Sequence, residues 1–263
     1  MNEFAMYLTD SATMLRRNVR HMRRYPMLFF IAGIPVILLL LFVFVFGGTL
    51  GAGLGSVTGG RAEYVAYLTP GILLFTVAGA AQGTAIAVAM DMKEGIIARF
   101  RTMPVSRASF LSGHVLANVA QTMLAVAIVV AVAVAIGFRA TTGPVEWILA
   151  AGLLGLTALA LTWVSVALGL VSKSVETASN LPMPLMLLPF FGSGFVPTDS
   201  MPDPLRWFAE NQPFTPIIET VRRLLLGGEI GSRGLIAVAW CVAITVAGYL
   251  WARKLYDRDP ARP

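Results

Sequence analysis

The sequence predicts an all-helical integral membrane domain with six transmembrane helices, and two observations support this fold class. First, 57% of the 263 residues are hydrophobic and 13% are charged, whereas soluble domains carry about 25% charged residues. A chain of this composition cannot cover its surface with polar groups, so a bilayer must act as part of its solvent. Second, the hydrophobic residues fall into long uncharged stretches. We therefore expect residues 1–263 to form a single transmembrane domain.

Six of these stretches have no acidic or basic residue in their central part. A helix rises about 1.5 Å per residue, so about 20 residues cross the roughly 30 Å of bilayer hydrocarbon. The predicted transmembrane segments are residues 26–46, 65–90, 110–137, 145–171, 179–196 and 234–252. The fifth contains Pro182, Pro184 and Pro189, which interrupt backbone hydrogen bonds, so we expect an irregular helix that can deform.

The distribution of lysine and arginine predicts the orientation of the chain. If the N-terminal segment is inside, 14 of the 20 basic residues fall in inner segments and 6 in outer segments. Because inner loops carry the excess of positive charge, both termini are expected in the cytoplasm. The net charge of +6 is then explained by topology, and nucleic acid is not an expected partner.

Two charged segments are expected to lie on the inner membrane surface. Residues 1–25 are basic and carry apolar residues at helical spacing, which predicts an amphipathic surface helix; the alternative is a disordered basic tail. In residues 91–107, Ile96, Ile97 and Phe100 share one side and Pro104 ends the pattern. This predicts a short amphipathic helix parallel to the membrane, with a solvated charged loop as the alternative.

The connection before the last predicted span, residues 197–230, predicts two short helices. Asp203-Pro204 and Thr215-Pro216 each place a capping residue before a proline, and Gly227 is expected to end the second helix after Leu226. Its apolar face is formed by Ile217, Val221, Leu224 and Leu225, and its polar face by Glu219, Arg222 and Arg223. This helix is too short to cross a bilayer, so we expect it to lie in the outer interface or to re-enter the membrane.

The sequence lacks the motifs of several enzyme classes. No phosphate-binding loop of the form G-x-x-x-x-G-K-[ST] occurs, Cys241 is the only cysteine, and no metal site is expected. Ser193 between two glycines suggests an intramembrane serine protease, but His114 belongs at the opposite end of the bilayer. We therefore expect no catalysis by this chain. The uncharged spans also disfavour proton-coupled transport, which usually needs an ionisable group in the bundle.

The predicted spans carry polar and adaptable side chains instead of charges. Thr76 and Gln82 lie in the second span, and Met186, Phe190 and Phe191 lie in the fifth. Methionine and aromatic side chains suit an adaptable apolar lining. The alternative is that these residues pack helix against helix or face lipid.

The order of the predicted elements resembles that of the membrane subunit of type-2 ATP-binding-cassette exporters, particularly bacterial daunorubicin-resistance-like permeases. Two stretches carry the resemblance most specifically. One is Lys93-Glu-Gly-Ile-Ile-Ala-Arg-Phe-Arg-Thr-Met-Pro-Val-Ser-Arg107, similar to the family's acid-then-glycine segment that closes in a proline-serine element. The other is Asn211-Gln-Pro-Phe-Thr-Pro-Ile-Ile-Glu-Thr-Val-Arg-Arg-Leu-Leu-Leu-Gly227, similar to its asparagine-proline-x-threonine-proline segment. This chain departs from that pattern by inserting Gln212 and Phe214 around Pro213. The likeness covers nearly the whole chain.

The resemblance implies a half-transporter in a bacterial plasma membrane that exports a lipophilic compound such as a drug, an antibiotic or a lipid. Two copies of a separate ATPase would dock inside and hold the ATP and magnesium, so this chain itself would need no cofactor. A second permease subunit, identical or related, would complete the membrane part. Membrane lipids are the remaining expected partners.

The resemblance also implies roles for individual residues. The 91–107 segment would be the coupling helix, and the expected ATPase contacts are Lys93, Glu94, Arg99, Phe100, Arg101, Lys173 and Glu176. The second and fifth spans would line the substrate path with Phe75, Thr76, Gln82, Met186, Phe190 and Phe191. The outer gate would include Thr215, Pro216, Glu219, Arg222 and Arg223.

Two other functions are compatible with the sequence. An ion-gradient-driven carrier would transport without ATP, and a membrane assembly subunit would keep a partner but transport nothing. The sequence does not identify the cargo, and it leaves open whether the second permease is identical.

Overall fold

The computed structural model describes residues 27–48, 61–94 and 107–256, apart from the side chains of 27–30, 107–111 and 114. In this part of the chain every regular element is helical and no strand occurs. The α-helices are α1 (Met27–Leu41), α2 (Arg61–Lys93), α3 (Arg107–Ala135), α4 (Pro144–Val171), α5 (Val175–Asn180), α6 (Met183–Leu187), α7 (Asp203–Asn211), α8 (Phe214–Leu226) and α9 (Gly231–Tyr256). The surface helix predicted at 1–25 lies outside the described residues, and so do Arg99, Phe100 and Arg101.

Among the described residues, four helices are long and apolar enough to cross a membrane: α2, α3, α4 and α9. They coincide with the second, third, fourth and sixth predicted spans, because in each case a long uncharged run ends at polar or charged residues. At the first predicted span, α1 continues through a π-helical turn, Phe42–Phe46, and forms a shorter apolar helix. The bundle thus contains the predicted helical segments at five of the six positions.

The predicted fifth span, residues 179–196, differs from a transmembrane helix. It forms the end of α5, then α6, a 3₁₀ turn at Leu188–Phe191 and an irregular stretch to Val196. The cause is local: a proline lacks the backbone N–H and its ring clashes with the preceding turn, so Pro182 and Pro189 each fall where one helical piece gives way to the next. We refer to residues 175–196 as the broken segment.

Helix α4 lies at the centre of the bundle and packs against α9 on one side and α2 on the other. Its Gly169 lets α2 approach closely, because a Cβ atom there would lie 2.7 Å from the carbonyl oxygen of Ala85. Some polar side chains in these helices bond to their own helix: the hydroxyl of Thr157 donates to the Leu153 carbonyl at 2.8 Å. Between helices, Asn118 Nδ2 donates to Thr162 Oγ1 at 2.9 Å. The core is otherwise apolar.

The outward faces of the long helices are apolar as well. On α9, Leu235 is 77% exposed, and Trp240, Val246 and Leu250 are also exposed. Large aliphatic side chains in such number on one outer face are typical of a helix that faces lipid or another membrane subunit. The position of α9 at the edge of the bundle therefore agrees with a multi-pass membrane protein.

Candidate functional site

The broken segment crosses α2 at two glycines. A Cβ atom on Gly71 of α2 would lie 2.3 Å from the carbonyl oxygen of Gly194 and 2.8 Å from its Cα. These are backbone atoms, so no side chain could move aside to make room. A Cβ atom on Gly194 would lie 2.8 Å from the Pro189 carbonyl oxygen. Glycine is required at both positions because the two backbones are in direct contact. The Gly192-Ser193-Gly194 motif is thus a site of close backbone approach.

Two side chains and one backbone carbonyl hold this crossing, and we call them the Ser193 clamp: the side chains of Tyr67 and Arg222 and the carbonyl of Ser193. The Tyr67 hydroxyl donates to the Ser193 carbonyl at 2.9 Å, and Arg222 Nη2 donates to the same oxygen at 2.6 Å. Arg222 also donates to the Tyr67 carbonyl, from Nη2 at 3.2 Å and from Nε at 3.4 Å. Its guanidinium lies 4.0 Å from the centroid of the Tyr67 ring. Arg222 therefore ties α8 both to α2 and to the broken segment.

The charge of Arg222 is compensated within α8. Glu219 accepts a hydrogen bond from Arg222 Nη1 one turn earlier in the helix. The two side chains are only 12% and 18% exposed, and Arg233 approaches the second carboxylate oxygen of Glu219 at 3.9 Å. A hydrogen bond that involves a charged group contributes about 1.5–3 kcal/mol when it is made in such a desolvated place. This ion pair is consequently part of the packed interior and differs from a surface salt bridge.

Aromatic rings from three elements meet beside the clamp. Phe190 and Phe195 of the broken segment stack with their centroids 4.1 Å apart and their planes within 9°. Phe75 of α2 meets the edge of Phe190 at 5.4 Å, and Phe42 of the π-helical turn meets Phe195 at 5.2 Å. We call these four rings the aromatic cluster. Since Ser193 lies between the two stacked residues in sequence, the clamp and the cluster are held by the same short piece of chain.

The residues predicted to line a path divide into two groups. Phe75 and Phe190 are in contact, and Met186 is half-buried on α6, a helix that contacts α2. Gln82 Nε2 donates to the Ser179 carbonyl at 2.6 Å, so this side chain joins α2 to α5. The other two have different surroundings: Thr76 is buried with its hydroxyl donating to the Ile72 carbonyl at 2.8 Å, and Phe191 is 45% exposed.

Helix α8 begins and ends close to the predicted positions. It ends at Leu226, and Gly227 follows with φ of +86°, a backbone conformation that glycine adopts without strain. The predicted cap at Thr215 is wrong: Thr215 lies inside the helix, and its hydroxyl donates across to the Ala209 carbonyl at 2.5 Å because α7 packs beside it. Asp203 likewise opens α7 without a side-chain cap.

The other predicted gate residues surround the start and end of α8. Pro216 is buried beside Thr215, where a missing N–H costs nothing in the first turn of the helix. Arg223 faces the opposite way from Arg222, and its Nη1 donates to the Glu229 carbonyl at 2.6 Å. At the C-terminal end of α8, Thr142 donates to the Leu224 carbonyl at 2.7 Å, which fixes α8 to the connection between α3 and α4. Within the part of the chain that the structure describes, Glu219 and Arg222 are the only predicted gate residues that form a largely buried ion pair.

The described residues predicted for ATPase docking lie at the other end of the bundle. Lys93 and Glu94 are exposed at the end of α2, and Lys173 and Glu176 are exposed beside the start of α5. The pKa of Glu176 is lowered by hydrogen bonds from its own backbone N–H and from Ser174, with a smaller contribution from the positive charge of Lys93. The structure therefore brings the ends of the two predicted docking segments within electrostatic reach of each other.

Sequence reasoning missed part of this site. Tyr67 was not singled out, and Ser193 was considered only as a nucleophile, although its carbonyl is the functional atom of the clamp. The Ser193 hydroxyl is buried and makes no hydrogen bond among the described residues. The signal available in the sequence was the pair of glycines that flank Ser193, since glycines near a helix indicate close backbone approach. No group of three or more potential metal ligands occurs in the described part of the chain.

Comparison with known proteins shows the family of the chain. Residues 10–226 match the ABC-2 type transporter family over most of the chain. The chain belongs to the ABC-2 type transporter family. It is the membrane, or permease, subunit of an ATP-binding-cassette transporter and not an enzyme itself; the ATPase is a separate subunit with which such a permease works.

Two relatives of this ABC-2 family protein illustrate the match. The daunorubicin resistance ABC transporter permease protein DrrB1 of Streptomyces coeruleorubidus is 27% identical over 246 residues, which cover 89% of this chain and 84% of the relative. The probable doxorubicin resistance ABC transporter permease protein DrrC of Mycobacterium tuberculosis is 31% identical over 175 residues, which cover 64% of this chain and 62% of the relative. The resemblance expected from the sequence is confirmed.

Proposed function

We propose that this chain is the membrane half of an ATP-driven exporter that moves a lipophilic compound outward across a bacterial plasma membrane. The observation that carries the proposal is the aromatic cluster, which joins α2 to the broken segment inside a bundle whose long helices have uncharged centres. A lipophilic cargo suits such surroundings because aromatic and methionine side chains bind apolar compounds without demanding one fixed shape. The relatives' names, which mention daunorubicin and doxorubicin resistance, support this class of cargo.

The proposed assembly contains two permease chains, identical or related, and two ATPase subunits that hold ATP and magnesium. Both termini face the cytoplasm, so the end of the bundle with Lys93 and Glu176 faces inward and the end with α8 faces outward. In this orientation α7 and α8 re-enter the membrane from outside. The apolar outer faces of the long helices are available to lipid and to the second permease. Gentle extraction followed by mass spectrometry tests the assembly: a stoichiometric ATPase is expected, and a permease that purifies alone contradicts the ATP mechanism.

Removing charge from the docking segment should uncouple transport from ATP hydrolysis. We expect Glu94→Ala or Arg101→Ala to reduce export of a fluorescent anthracycline about tenfold, the effect of losing roughly 1.4 kcal/mol of docking free energy. Expression should stay normal because Glu94 is exposed. Lys254→Ala, an exposed charge at the end of α9, is the matched control and should export normally. Normal export by both docking variants would remove this assignment.

Changing the side chains of the proposed path lining should change which compounds are exported. Met186→Trp places a large ring at a half-buried position of α6, and Gln82→Leu removes the hydrogen bond to Ser179. We expect each to alter the ratio of export rates for two dyes of different size by about fivefold or more, since one pocket contact discriminates by roughly 1 kcal/mol or more. Leu187→Trp at the neighbouring exposed position is the control. An unchanged ratio in the Met186 and Gln82 variants would show that they do not line the path.

A further inference from the structure

We propose that Arg222 is a positioning residue that keeps the outer end of the transport path closed, by holding the Ser193 carbonyl and with it the aromatic cluster. The inference rests on the proposed export function and adds to it the part that holds the gate closed. Two donors from different helices converge on the one Ser193 oxygen, Tyr67 from α2 and Arg222 from α8. Fixing this carbonyl fixes the short chain on either side of it.

The position of the clamped carbonyl decides what it controls. Ser193 is separated by two residues from Phe190 and by one from Phe195, and these two rings form the closest stack of the aromatic cluster. The cluster joins the π-helical turn after α1, α2 and the broken segment through Phe42 and Phe75. Releasing the carbonyl therefore loosens the C-terminal part of the segment that carries both stacked rings, while Gln212 Nε2, which donates to the Leu188 carbonyl at 3.1 Å, still holds its N-terminal part.

The surroundings allow the clamp to open without leaving a buried charge alone. Glu219 uses one oxygen for Arg222, and its other oxygen faces Arg233 at 3.9 Å. Arg233 is half exposed and lies at the start of α9. When Arg222 leaves the carbonyls, Glu219 keeps a positive partner, so the cost that usually opposes the separation of a buried ion pair is reduced.

The chain also offers a reporter for the closed state. The Ser193 hydroxyl is buried and bonds to nothing in the described part of the chain, while the clamp uses only the carbonyl of this residue. Ser193→Cys therefore replaces one small buried group by another and leaves every clamp contact in place. The native Cys241 is replaced by alanine in this background, because it is the only other thiol.

The test measures how fast a membrane-impermeant maleimide labels Ser193→Cys in the complete transporter, in intact cells depleted of ATP. We expect slow labelling with the clamp intact and about tenfold faster labelling with Arg222→Met, the shift in population that the loss of one strong contact produces. Arg222→Lys should also label faster, because an ammonium lacks the planar fork that stacks on the Tyr67 ring and donates to Glu219 and the carbonyls from separate nitrogens. Tyr67→Phe removes a single donor and should have a smaller effect in the same direction.

Two controls separate a gate from general loosening. Arg139→Met removes an exposed arginine at the same end of the bundle that bonds only to nearby carbonyls of its own segment, and labelling should equal that of the parent. In a second series, Ser193 is kept and the buried native Cys241 is labelled, and the clamp variants should leave its rate unchanged. The proposal is overturned if Ser193→Cys is labelled at the same rate in the parent and in Arg222→Met. It is also overturned if the labelling rate of Cys241 rises in parallel in all clamp variants. Labelling needs no transport, so a failure of export with a normal labelling pattern contradicts the export function and leaves the clamp standing.

Discussion

Gly71→Ala will destabilise the protein, whereas Gly79→Ala on the same helix will not. A Cβ atom at Gly71 would lie 2.3 Å, 2.7 Å and 2.8 Å from three backbone atoms of Gly194, and backbone cannot move aside as a side chain can. At Gly79 a Cβ atom would have no neighbour within 4 Å. Overpacking at tight sites costs about 1–3 kcal/mol, so we expect a loss at the upper end of this range for Gly71→Ala. Gly79→Ala should be neutral or slightly stabilising, because alanine favours the helix by about 0.5–1 kcal/mol.

The midpoint of thermal unfolding of the detergent-purified transporter measures this difference. Gly194→Ala adds a Cβ atom on the other side of the contact, 3.3 Å from the Gly71 Cα and also 2.8 Å from the Pro189 carbonyl oxygen of the broken segment itself. Both variants at the crossing should unfold at lower temperature than Gly79→Ala. Equal midpoints for Gly71→Ala and Gly79→Ala would mean that the broken segment does not touch α2 in the folded protein.

The sequence was sufficient to predict most of the helices, for a simple physical reason. Helices α2, α3, α4 and α9 are uncharged runs long enough to cross a bilayer, and no other structure satisfies their backbone polar groups in lipid. For residues 179–196 the prolines predicted an irregular helix, and the structure breaks the helix at Pro182 and Pro189. The apolar face of α8 and its end at Gly227 also followed from residue spacing and glycine chemistry alone.

The candidate site was less accessible to sequence reasoning because its contacts are long-range. Tyr67 and Arg222 are separated by 155 positions, and Tyr67 and Ser193 by 126. Helical periodicity placed Arg222 on a polar face, but periodicity does not say what covers that face. In the structure it is covered by backbone carbonyls and a tyrosine ring instead of water. The predicted docking residues Arg99, Phe100 and Arg101 lie outside the described residues and stay a prediction.

Arg222→Met will destabilise the folded transporter far more than Arg206→Met, although Arg206 pairs with two carboxylates and Arg222 with one. Arg206 pairs with Asp199 and Glu210, each at 2.8 Å, but its side chain is 43% exposed. Water solvates both partners there, and an exposed ion pair adds little to stability. Arg222 is only 12% exposed and bonds to the Tyr67 and Ser193 carbonyls as well as to Glu219.

The loss at Arg222 therefore has two parts, the charged hydrogen bonds themselves and the desolvated groups left behind. Removing one member of a buried pair costs about 3–5 kcal/mol, and we expect the lower end because Arg233 remains near Glu219. Glu219→Gln should cost less than Arg222→Met, since Arg222 then keeps both carbonyls and the tyrosine ring. The double variant should be less destabilised than the sum of the two singles, because no charge is left without its partner. Thermal unfolding of the four variants measures this order; an Arg206→Met loss equal to that of Arg222→Met would show that burial does not set the strength of these pairs and that α8 is not held as described.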